Sequence, residues 1–264
     1  MMNEEKSNRD LQEHMLWTYY GLRVGLALIG IFLPVVVYFA GGVLHHVWLE
    51  GSISAYYHTP PSQVWFTTRD LFVGGLLAAS ACLYLNKGYS NKENIALNLA
   101  AIFAVFVALL PTAPRGEPTG LISILHGTSA VLFFLCIAYV SLRRSGDTLE
   151  LLEPTERPRY EQLYKATGGA MIASPVLAVV LSWALDPDSP SRTTVFWIET
   201  LGIWSFAAYW IIKTGEMRKS SAERKGLDAE LKRESVLVTE DAPSAYLHPK
   251  MTAPYRKERI VSTG

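Results

Sequence analysis

The sequence predicts an all-α fold, a polytopic transmembrane bundle of six helices with both the N-terminus and the C-terminus in the cytoplasm. Two patterns predict it: six separate apolar blocks of near-spanning length, and a one-sided distribution of Lys and Arg between them. Composition alone would not, because half of the 264 residues are apolar and 24 acidic side chains balance 24 basic ones. The arrangement decides.

The blocks run over about 23–39, 70–85, 95–110, 121–142, 166–185 and 194–212. Most approach the roughly 20 residues that a rise of ~1.5 Å each requires across a hydrocarbon core of ~30 Å. They are apolar all round, whereas a helix on a water-exposed surface keeps a polar face. The second and third blocks are short and reach across by recruiting Arg69, Asn86 and Pro111, or by thinning the bilayer. Strands are excluded by the lack of period-two alternation and by the unsatisfied edge a sheet would leave in lipid.

Local residues refine each element. Pro34 and Pro175 predict bends in the first and fifth spans. Gly75 with Ala79, and Gly169 with Ala173, have the small-xxx-small spacing of close helix packing. The first block follows a charged leader through Arg23 and lacks a small-x-small cleavage site at Tyr38-Phe39-Ala40, which predicts a retained helix. Cys82 and Cys136 sit within blocks without a CxxC or Cys/His pattern, as buried inert thiols do.

Loop charge sets the orientation. Lys and Arg number 21 in the N-terminal segment, the second and fourth connections and the tail, against Arg69, Arg115 and Arg192 on the other side. Positive loops stay in the cytoplasm. Trp48, Tyr56, Tyr57, Trp65 and Phe66, with Trp183 and Trp197, then fit an aromatic belt at the outer interface. The chain divides into a cytoplasmic segment, 1–22, a transmembrane domain, 23–214, and a charged cytoplasmic tail, 215–264. That tail is helical at first and disordered beyond. No Walker loop, GxGxxG, lipidation signal or internal repeat is present, and no basic face interleaved with aromatics suits nucleic acid.

An ionisable group within a span costs roughly 2.5–3.5 kcal/mol on insertion scales, so each one is a functional candidate. Asp70 and Arg69 stand where the second span leaves the outer surface. His126 and Glu199 each lie about five residues inside, roughly 8 Å below the same boundary. The first outer connection adds His45, His46, Ser54, Tyr56, Tyr57 and His58. The inner halves of the spans carry little that titrates, so polar groups from independent segments converge on one leaflet.

Three functions follow. Arg69, Tyr57, His126 and Glu199 would form a pocket for a lipid head group or small polar ligand, with His126 and Glu199 able to relay protons. A transporter built this way would need to work as a homo-oligomer. His58 and His126 with Asp70 or Glu199 would suit zinc, with an open position for a hydrolytic water. An accessory or sensor protein would use the same polar layer only to fix packing, its outer loop meeting a partner.

The Ser54, His58 and Asp70 set around the second span resembles the CREST membrane hydrolase superfamily, which includes alkaline ceramidases and the PAQR receptors. That resemblance implies a zinc-dependent lipid or amide hydrolase with those three residues catalytic. The family has seven spans and a His-x-x-x-His pair in the last; this chain has six, with only Glu199 in the core of its last. The layout, with a short Ser/His loop after the first span and a His opening the fourth after the 111–118 turn, also resembles bacterial six-span proteins related to the DRAM-type family. It implies a multi-pass protein of a bacterial inner membrane and carries no chemistry.

Overall fold

In the computed structural model, residues 2–59, 65–114, 117–185 and 193–220 are described, with side chains from His14 onward except Trp183. The tail beyond Ser220, Arg115, Arg192 and the Trp183 side chain, all used in the charge or belt reading, lie outside the described residues. Every regular element among those described is helical. These are α1 (Met2–His45), a 3-10 turn (Ser54–His58), α2 (Thr68–Leu85), α3 (Asn91–Leu109), α4 (Leu121–Tyr139), a π turn (Val140–Arg144), α5 (Gly146–Leu149), α6 (Arg157–Ala184) and α7 (Thr193–Ser220). Six of them are long and apolar enough to cross a membrane: α1 from His14, α2, α3, α4 with the turns that follow it, α6 and α7.

Their arrangement is a closed ring. Each span packs against the next in sequence, α4 against α6 across the short α5, and α7 closes the circle against α1. Small residues set the approach at several seams. A Cβ on Gly30 would meet Ala207 Cβ at 2.9 Å, and one on Gly75 would meet Leu33 Cδ1 at 2.8 Å. Gly169 is not such a seam, since nothing lies within 4 Å of its Cβ position and Ala173 is exposed. Its neighbour Gly168 faces inward, where a Cβ would fall 2.5 Å from Leu142 Cγ. A helical face turns about 100° per residue, so a spacing rule finds the right helix and can still choose the wrong face.

Hydrogen bonds from side chains to backbone tie neighbouring spans. Ser80 donates to the Ala101 carbonyl at 2.8 Å, Ser141 to the Tyr164 carbonyl at 2.9 Å, and Trp204 Nε1 to the Ile31 carbonyl at 3.2 Å. Outward positions carry large apolar side chains such as Phe32, Ile95, Ile102, Ile122, Val176 and Leu201, each at least 45 % exposed. A ring that turns its large apolar side chains outward and ties its spans by such bonds suits lipid as its solvent.

Two of the spans begin with side-chain caps. Thr67 caps α2 in a capping box with Asp70, and Ser90 caps α3 by accepting from Glu93 N at 3.3 Å. α1 stops at His46, whose φ of 57° turns the chain so that Val47 N–H donates to the Gly41 carbonyl at 2.9 Å. The two ends of the ring are therefore distinct. One, here the terminal end, carries Ser220 and the 86–90 and 145–156 connections; the other, the loop end, carries the 46–67 and 110–120 connections.

Candidate functional site

The ring is not filled along its whole length. At the loop end it encloses a cavity of about 1100 Å³ to which all six spans contribute, from Leu33, Phe72, Ala104, Phe134, Ala178 and Ile203 among others. Its lower wall is apolar. Its rim is formed by residues 49–55 and by the connection between α3 and α4.

Four of the seven residues singled out in the sequence line this space: Ser54, His58, His126 and Glu199. Each of the last three holds a piece of backbone. The Glu199 carboxylate accepts the N–H of Ile53 at 2.7 Å and also that of Ser54. His58 Nε2 donates to the Thr112 carbonyl at 2.6 Å, and His126 Nδ1 donates to the Leu110 carbonyl at 2.6 Å. Ser123 completes the rim by accepting Ala113 N–H at 3.1 Å. The residues from Leu110 to Ala113, left without a helical ladder, are thus gripped by three cavity side chains. With one ring nitrogen of each imidazole committed as donor, the neutral ring offers an acceptor at the other.

Tyr57, Arg69 and Asp70 do not line the cavity. Arg69 donates to the Tyr57 hydroxyl at 2.7 Å and stacks over that ring at 4.3 Å, rather than pairing with Asp70. Asp70 turns back to the start of α2, accepting from Thr67 N at 2.7 Å and Thr67 Oγ1 at 2.9 Å. The expected ligand set, His58 and His126 with Asp70 or Glu199, is not assembled with either carboxylate. Asp70 is spent on the capping box away from the cavity, the Glu199 carboxylate is held on the Ile53 N–H, and no three His, Cys, Asp or Glu among the described residues could hold one ion. The expected Ser54, His58 and Asp70 constellation is separated for the same reason. His45 accepts weakly from Thr68 N at 3.4 Å, a packing contact at the head of α2.

The 3-10 turn dips into the ring. Ile53 and Tyr56 are 2 % and 0 % exposed and pack against Leu33, Val37, Phe72 and Phe196. Tyr56 donates its hydroxyl to the Trp48 carbonyl at 2.9 Å. Burial, reinforced by Glu50 and Tyr38, pushes that phenol up to about 12, against the opposing hydrogen bond from the Glu50 backbone.

A second polar group escaped the sequence reading, and it overturns the expectation that the terminal-side halves carry little that titrates. Arg23, Glu93, Lys213 and Glu216 are each no more than 5 % exposed. Lys213 Nζ donates to Thr148 Oγ1 at 2.7 Å and to Glu216 Oε2 at 3.0 Å, and Tyr164 donates to that same oxygen at 2.6 Å. Arg23 interacts electrostatically with Glu93 and Glu216, and Glu93 with Lys213 and Arg144. Two cations and two anions from α1, α3 and α7 therefore meet on the ring axis, with hydroxyls from α5 and α6. The signal available was the Lys213 and Glu216 spacing of three, which places both on one helical face. No known protein family, curated protein or solved structure matches this chain.

Proposed function

We propose that the protein is a membrane receptor or carrier for a lipid head group or small polar ligand, held in the axial cavity at the loop end. Under the charge distribution of the connections, that end faces the outside of the cell. The observation that carries the reading is the cavity itself. About 1100 Å³ is just above the range of about 300–1,000 Å³ typical of small-molecule sites. Its wall is apolar and its polar groups gather at the rim, the layout that orients an amphiphile with its polar end toward the loops. A concave, largely apolar space with a few convergent polar groups is the ordinary form of a small-molecule site.

The rim residues also differ from those a purely structural layer would need. Glu50, Glu117, His58, His126 and Glu199 all contribute to the lining. The tethered histidines keep an acceptor nitrogen, and the carboxylates add further acceptors for hydroxyl or ammonium groups.

The experiment is mass spectrometry of small molecules retained through purification in mild detergent. The native chain is expected to retain a bound species. Gly127→Leu, which projects into the cavity, is expected to lose it, whereas Arg69→Gln, outside the lining, is expected to keep it. Equal retention by the native and Gly127→Leu proteins would overturn the reading.

A further inference from the structure

The cavity and the buried charge cluster share one axis, and each explains a feature of the other. Below the cavity the ring narrows to a packed layer that includes Leu26, Ile137, Met171 and Phe206. Below that layer lie Arg23, Glu93, Lys213 and Glu216, drawn from helices that are not all neighbours in the ring. Arg23 is ten residues from the cavity-lining Leu33, or about 15 Å along α1.

As a purely structural plug this cluster is a poor choice. Replacing buried ion pairs by apolar groups of similar volume is often neutral or stabilising. The cluster is moreover incompletely satisfied, because Glu216 Oε1 is buried with no hydrogen-bond partner. A charged plug differs from an apolar one in what happens when it opens. Apolar residues lose roughly 25 cal/mol for each Å² exposed to water. Paired charges exchange one another for water, which solvates them well, so the closed dry state and an open wet state lie close in free energy.

We propose that Lys213 and Glu216, with Arg23 and Glu93, form the closed gate of a solute pathway whose other end is the axial cavity, so that the ring is held in a state accessible from the loop end only. The solute is the small polar or amphiphilic ligand of the cavity, and the inference rests on that reading of it. Release at the terminal end requires the charges contributed by α7 to part from those of α1 and α3. Tyr164 and Thr148 hold the α7 groups in place from α6 and α5 while the gate is shut.

The test is labelling of a single cysteine by a membrane-impermeant maleimide in right-side-out and inside-out membrane vesicles. Ala130→Cys, which lines the cavity, is placed in the full chain with Cys82→Ala and Cys136→Ala, and Lys92→Cys identifies the terminal face. With the native cluster, Ala130→Cys is expected to react from the loop face alone. Adding Lys213→Met should open reaction from the terminal face, at least tenfold above the native background. The exchanged pair Lys213→Glu with Glu216→Lys should restore protection, which a general loosening of the bundle would not do. If Lys213→Met does not fold, Thr148→Val, which removes one tether of Lys213, takes its place. Loop-face reaction that is intact while terminal-face reaction stays at background in these folded variants would overturn the gate and leave the binding site standing. No reaction from either face in the native cluster would instead overturn the cavity reading, and the gate with it.

Discussion

The carboxylate of Glu199, on the last span, accepts the backbone N–H of Ile53, in the connection after the first, at 2.7 Å. That bond links residues 146 apart and folds the first connection into the ring. Replacement by Leu removes the acceptor from a buried peptide N–H, at a cost of about 1–3 kcal/mol. Glu199→Gln keeps one acceptor oxygen and loses less. Thermal unfolding in detergent should rank the native chain above Glu199→Gln and Glu199→Leu last, with Ala55→Cys becoming more reactive in the same order. Unchanged Ala55→Cys reactivity in Glu199→Leu would show that the turn is held by its apolar side chains instead.

Alkali should release the same turn. The Tyr56 phenol is pushed up to about 12 in the folded chain, above its ordinary value of about 10. The folded state therefore binds the proton more tightly than the unfolded one. This contribution is complete below pH ~10 and is lost as pH rises through about 12. Cleavage within residues 50–58 by subtilisin, which works at alkaline pH and needs no basic residue, should rise over that window, and Tyr56→Phe should abolish the pH dependence. A Tyr56→Phe protein with the same alkaline profile would assign it to another group.

Glycines in the ring should divide by what stands before them. Nothing lies within 4 Å of a Cβ on Gly127, so Gly127→Ala should fold normally and gain up to about 1 kcal/mol from helix propensity. A Cβ on Gly41 would stand 2.3 Å from Tyr56 Cε1 and 2.7 Å from the Val47 carbonyl oxygen. Backbone cannot yield as a side-chain tip can, and overpacking of this kind costs about 1–3 kcal/mol. Detergent melting curves of the two variants should shift in opposite directions.

The buried pair should show strong non-additivity. Lys213→Met strands the Glu216 carboxylate, a loss of about 3–5 kcal/mol by analogy with other broken buried pairs. Lys213→Met with Glu216→Leu removes both charges and should recover most of it, a coupling of at least ~1 kcal/mol. Additive losses in chemical denaturation would mean that Thr148 and Tyr164, rather than the pair, satisfy each charge.

The six spans were legible because lipid contact leaves long apolar runs, and all six runs lie within observed helices or overrun an end by a few residues. Their ends were less legible. A run stops at its first charge, so α1 was read from Arg23 and α7 only to Ile212, whereas the helices continue through Met2 and Ser220. For that reason Arg23, Lys213 and Glu216 looked like flanking groups when they are buried inside the ring. Arg23 stands beside the first run and Lys213 with Glu216 beside the last, and only the closure of α7 on α1 brings the two ends together. At the loop end the polar layer was found, but the roles within it were not all assigned. Glu199 and His126 came from depth along a helix, which the rise per residue gives directly. Arg69 and Asp70 were weighted by charge, and charge does not reveal that one serves Tyr57 and the other a helix start.

Ring closure has a consequence for how the chain is made. A bundle whose first and last helices are neighbours cannot seal until synthesis has delivered its final span. Until then Arg23 and Glu93 sit in the nascent membrane domain without the oppositely charged groups of α7, and the first helix shows lipid the face later covered by Ala207 and Trp204. An insertion chaperone or the translocon itself would shield that face during the wait. Truncation before residue 193, which removes α7, should accordingly yield a product that is inserted yet short-lived, cleared by quality control for one missing neighbour.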